Sequence, residues 1–192
     1  MFCFSKPNTE SIHAFVSTQA NQPFSYSEVG ATRSGAPKGY THDHNRIQLG
    51  QGAEVFERAK SAVRRWSMFD MPWIELCYRE TPIEPGATVA VLVSHFGFLS
   101  LNKCRIVYVI EEESEDLKKF GFSYGTLFEH GAIGEERFSV EYQCKDNSVW
   151  YDIYAFSRPK LITRLGYPLV RALQKRFARE SKLAMIKAVQ PG

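Results

Sequence analysis

Six stretches with strand character follow one another between Met71 and Phe156, at 71–79, 87–96, 102–113, 120–130, 134–144 and 148–156. Short connections join them, among them the turn Glu84-Pro85-Gly86 and the polar loop Lys145-Asp146-Asn147. A parallel neighbour needs a long crossover, so strands linked this tightly form an antiparallel meander. Phe138, Val140 and Tyr142 alternate with Arg137, Ser139 and Glu141, which gives the sheet one apolar face that must be covered. Arg158-Pro159 ends the last strand, and Pro168 sits near the first turn of a helix expected over about 165–188. Leu169, Leu173, Phe177, Ala184 and Ala188 make its apolar side, with Arg171, Lys175, Arg179 and Lys182 on another. This helix is the natural cover.

Upstream, Asn8 caps a helix expected over 8–20, with Ile12, Phe15 and Val16 on one stripe. A turn-rich stretch spans Gly30 to Gly39, and HDHNRIQL (42–49) reads as a strand stopped by Gly50 and Gly52. A helix over Ala53–Trp66 follows, with Phe56, Ala59, Val63 and Trp66 on one side. The sum is an α+β fold of the helix-grip kind. A curved antiparallel sheet of about seven strands wraps a long C-terminal helix within one domain, 1–192, and the N-terminal helix is an extension. Where sheet and helix do not fully meet, a pocket for an apolar ligand results.

Several function classes are disfavoured. Cys3, Cys77, Cys104 and Cys144 are widely spaced, so they form neither a zinc knuckle nor a redox pair, and they read as reduced thiols of a cytoplasmic protein. The N-terminus lacks the pattern of a signal peptide, and no apolar run reaches the length of a membrane helix. There is no phosphate-cradling glycine loop, nucleophile elbow or metal framework, so no cofactor is expected. From Lys160 onward there are eight Lys/Arg and one acid, Glu180. That bias allows weak contact with an anionic membrane surface. Nucleic acid is disfavoured, because the helix is committed to the core and no stacking motif accompanies it.

Two polar clusters stand out. In HDHNRI (42–47), His42 and His44 point the same way on a strand and Asp43 the other way. Two such histidines lack the third ligand a metal needs, so edge-of-strand pairing by Asp43 and Arg46 is favoured, with Asn45 bonding backbone at the turn into the helix. His44 is also an acid/base candidate. In GEERF (134–138), adjacent carboxylates Glu135 and Glu136 face opposite sides. An outer salt bridge is the simpler reading, while an inward one would need a cation such as Arg105 or Arg137. His130 sits in a glycine-flanked loop, at a cavity mouth or solvated.

DHNR (43–46), RIVYVI (105–110), YGTL (124–127), GEERF (134–138), VWYDI (149–153), AFSRP (155–159) and LGYPLVRALQKRFARES (165–181) occur in order. Together they resemble uncharacterised protein family 0548, over about Phe4 to Val189. The resemblance implies a START-like, birch-pollen-allergen-like helix-grip fold with a hydrophobic cavity, and it supplies no catalytic residues. The superfamily's carriers, cyclases and aromatase-like enzymes are analogies at the level of the fold.

The expected function is binding of a small hydrophobic ligand between sheet and C-terminal helix. Candidate ligand-binding residues are His44, Arg105, Tyr124, Tyr142 and Trp150. The alternatives are a cofactor-independent cyclase or hydrolase using His44 or Glu136 as acid/base, and a peripheral membrane protein using the basic helix.

Overall fold

The meander appears as six strands in chain order, all antiparallel, and the computed structural model describes them with residues 2–17, 22–35, 37–95, 97–128, 130–159 and 167–190. The elements are β1 (Phe2–Cys3), α1 (Thr9–Ser17), β2 (Thr41–Gln51), α2 (Ala53–Arg64), β3 (Ile74–Cys77), β4 (Thr88–Ser94), β5 (Leu99–Glu113), β6 (Leu117–Thr126), β7 (Ala132–Gln143), β8 (Ser148–Pro159) and α3 (Tyr167–Ala188). The strand order is β2-β8-β7-β6-β5-β4-β3, with the short β1 added beside β5. β2 pairs with the last strand and β3 lies at the opposite edge, so α2 and the turn after it carry the chain across one face of the sheet. α3 packs on that same face, which makes it the inner face of a helix-grip fold.

Strand alternation splits the two faces cleanly. Phe122, Phe138, Tyr151 and Ile153 are buried inward with Phe177 and Met185 of α3. Trp66 takes a left-handed conformation (φ 58°) just after α2 and turns the chain so that Met68 and Phe69 enter this core. Outside, α1 lays Ile12 on Cys77, Ala90, Leu92 and Leu101 of β3–β5. Asn8 caps it, accepting from Ser11 N–H at 2.8 Å; positions 18–20 of the expected helix lie outside the described residues.

Three local expectations change. Gly50 does not stop β2; it sits at a bulge, where the register against β8 shifts between Gln48 and Gly50. Asn45 is therefore mid-strand and not at a turn. On α3 the buried stripe is Phe177, Ala178, Ser181 and Met185, whereas Leu169 is exposed. Ser181 belongs to the stripe although it is polar, because its hydroxyl is bonded to Tyr151 Oη at 2.9 Å. β1 carries no signal of its own; its two residues borrow register from β5, Phe2 opposite Ser100.

Candidate functional site

α2 and the aromatic cluster fill one end of the space between sheet and α3, and the other end is open. A cavity of about 500 Å³ lies there. Its walls come from the sheet (Val91, Val93, Cys104, Tyr124, Ile153), from α3 (Leu173, Phe177) and from the segment before β3 (Phe69, Trp73, Ile74). The volume is in the range of small-molecule sites, and the lining is mostly apolar with a few polar groups.

The polar groups follow from register. Asp43, Ala155, Glu136 and Tyr124 are successive cross-strand partners on β2, β8, β7 and β6, so they form one row across the inner face. Tyr124 Oη donates to Glu136 Oε2 at 2.9 Å. No other hydrogen bond or ion pair reaches the Glu136 side chain among the described residues. Burial without a cation, and the nearby Asp43 charge, push the carboxyl up to about 7, against a smaller lowering by the Tyr124 hydrogen bond. Asp43 is itself held by Arg171 of α3 through both guanidinium NH2 groups, at 2.5 and 2.6 Å, and Arg171 also donates to Gln174 Oε1 at 2.7 Å. Gln174 in turn donates to Ser157 Oγ at 3.0 Å. This chain latches the first half of α3 to β2 and β8 along the cavity edge.

A second polar group closes the β4–β5 end. His95 Nε2 lies 2.7 Å from Ser100 Oγ, and Asn102 Nδ2 donates to the same oxygen at 3.0 Å. Partial burial lowers the His95 pKa. His130 borders the cavity and uses Nδ1 on the backbone of Ala132.

The sequence candidates fall on both sides of the sheet. Tyr124 and Glu136 face the cavity. His44 borders it only at the edge; its ring is on the outer face, 60% exposed, with Nε2 on Asp152 Oδ2 at 2.5 Å. Arg105 is also outside, donating to Gln22 O at 2.7 Å with its guanidinium over Phe24. Trp150 is outside under the Arg46 guanidinium. Tyr142 faces inward but packs on Phe56 of α2 and bonds Asn147, away from the cavity. Register parity explains each case: the even positions of β2 and β8 and the odd positions of β7 point outward, and Arg105 lies in the same cross-strand row as Gly125 and the outward Glu135.

Glu135 does not make an outer salt bridge. It is 3% exposed and accepts from Tyr26 Oη and Gly30 N, each at 2.7 Å, from Thr32 N at 3.1 Å, and from the Thr32 hydroxyl. It pins residues 26–32 to the outer face. Gly125 lies beneath this bridge, where a Cβ would stand 2.0 Å from Tyr26 Oη. No local signal announces Glu135, since its donors come from about a hundred residues upstream. Among the described residues no three of His, Cys, Asp and Glu are placed to share a metal ion.

The family described as "Domain of unknown function (DUF1990)" matches residues 25–184. The chain belongs to this family. Two relatives similar over nearly the whole chain are each a "UPF0548 protein". The one from Dictyostelium discoideum is 36% identical, covering 98% of this chain and 96% of that protein. The one from Deinococcus radiodurans is 36% identical, covering 98% of each. The DUF1990 fold is similar to the crystal structure of Ara h 8.0201, with a TM-score of 0.51 and 13% identity over 79% of this chain and 98% of that one. It is similar also to the hypothetical protein jhp0584 from Helicobacter pylori, with a TM-score of 0.52 and 8% identity over 88% and 96%. These are Bet v 1-like helix-grip folds, and at such identities the likeness concerns the fold alone.

Proposed function

We propose that this member of the DUF1990 family binds a small, mainly apolar ligand in the cavity between its sheet and α3. The observation that carries this reading is the cavity itself, about 500 Å³ with a largely apolar wall and one polar row across its floor. Burying apolar ligand surface at roughly 25 cal/mol per Å² supplies affinity, and the row fixes orientation. The Asp43–Arg171–Gln174–Ser157 chain holds the first half of α3 along one edge of the cavity. The four free thiols fit a cytoplasmic carrier. Contact with an anionic membrane through α3 has less support, because Arg171 and Lys182 turn back onto Asp43 and Asn45 of β2.

Native mass spectrometry of the purified protein, followed by organic extraction, tests the reading. A stoichiometric apolar small molecule is the expected result. A protein that is empty and shows no thermal shift with a panel of hydrophobic ligands overturns it.

One observation favours a second reading, acid/base catalysis. Glu136 lines the cavity with its carboxyl pushed up to about 7, a balance of donor and acceptor forms near neutral pH. Under that reading, Glu136→Gln retains the extracted molecule but no longer converts it. Equal conversion by wild type and variant removes Glu136 from any chemistry.

A further inference from the structure

Glu136 stands out as the cavity's uncompensated acid. A carboxylate drawn away from water is normally paired with a cation or several donors, and Glu136 is part-buried in the cavity wall. Glu135, its neighbour on the opposite face, has four donors. Glu136 has one, Tyr124 Oη, and no cation.

The groups that face Glu136 from each packed element are neutral or acidic. Cys104 on β5 and Tyr124 on β6 are held protonated by burial, as is Tyr151 on β8. Asp43 on β2 is an acid. The nearest elements do carry basic groups, and each is placed elsewhere. Arg171 is on Asp43, and Lys175 lies at the cavity edge with an exposed side chain. His95 is on Ser100, and His130 on the backbone of Ala132. Opposite Glu136, the cross-strand residue on β8 is Ala155, which leaves room beside the carboxyl. Phe69, Phe177 and Tyr124 supply aromatic surface around that space.

We infer that the cavity recognises a protonated amine on an apolar or aromatic body, with the ammonium seated on the Glu136 carboxylate beside the Tyr124 hydroxyl. This rests on the ligand-binding reading above and deepens it; the carboxylate is given to the ligand and not to proton transfer. A cation gives this part-buried acid the partner it lacks, and the aromatic walls favour it further. A carboxylate-bearing ligand meets Glu136 and Asp43 and is rejected.

Three probes with one body and different heads test it: 4-phenylbutylamine, 4-phenylbutan-1-ol and 4-phenylbutyrate, each titrated calorimetrically into the full chain. The amine is expected to bind at least about tenfold tighter than the alcohol, the scale of one charge-assisted hydrogen bond, and the acid weakest of all. In Glu136→Gln the amine's advantage disappears while alcohol binding changes less than about threefold, which also shows that the variant is folded. Amine binding is expected to strengthen from pH 6 to 8 and to release a proton at pH 6, read from buffers of different ionisation enthalpy. Alcohol binding equal to or tighter than amine binding overturns the inference while leaving the cavity reading intact. So does an equal loss for both in the variant. If none of the three binds, this inference falls, and the cavity reading is decided by the extraction and the hydrophobic panel above.

Discussion

At the scale of single residues, adjacent glutamates have opposite fates because a strand alternates its faces. Glu135 is satisfied by donors from residues 26–32, and Glu136 is left to the cavity. Glu136 titrates about 7 when folded and near its ordinary value, 4.5, when unfolded. The protonated form is the one the fold prefers. Its contribution is therefore fully present below about pH 4.5 and is lost as pH rises through about 7. Glu136→Gln removes this loss. The expected outcome is a variant whose Tm advantage over wild type grows between pH 4.5 and about 7.5 and is flat above, measured by thermal melts of the apoprotein. A constant difference across that range would show that the carboxyl does not titrate there. The sequence displays both glutamates and the rule that separates them, but not which one is inward. That depends on which face of the sheet α2 and α3 cover, which is a tertiary fact. His44, Arg105 and Trp150 went to the outside for the same reason, while Tyr124, on the inward parity, reached the cavity.

At the scale of elements, legibility was much higher. Alternation and turn residues locate the meander, and the long amphipathic segment locates α3, because both signals are local and repeated. The stripe on α3 was legible only in part, since Ser181 is buried by a partner thirty positions upstream, Tyr151. α3 is also held unevenly. Its second half is tied by Ser181 to Tyr151 and by Glu180 to the Trp73 indole at 2.5 Å, with Met185 fully buried, and Val189 just beyond it accepts from Arg58 Nε at 2.8 Å. Its first half borders the cavity and depends on Arg171 and Asp43. Arg171→Ala is expected to cost about 1–2 kcal/mol, between the values of exposed and buried pairs. Hydrogen exchange should quicken over 170–178 and stay slow over 181–188. Uniform quickening along α3 would show that the helix is one cooperative unit, not held in two halves.

At the scale of the molecule, a cavity of about 500 Å³ in a 192-residue chain is space that close packing would otherwise fill. An occupant that binds only the folded state raises stability by mass action. At about 100 times its Kd the gain is about 2.7 kcal/mol, or roughly 5–10 °C in Tm for a chain of this length. Ala155 is the position to test, since it lies in the polar row between Asp43 and Glu136 and its side chain is the smallest there. In Ala155→Phe the new ring enters open space and not packed core, so it escapes the usual penalty of overpacking. The expected outcome is an apoprotein melting at or above the wild-type temperature, with the shift given by 4-phenylbutylamine reduced to within about 2 °C of zero. A variant that melts lower and still shows the full ligand shift would place the occupant elsewhere. It would also make the row beside Ala155 a packed part of the core, and the cavity floor a feature of the fold and not of its use.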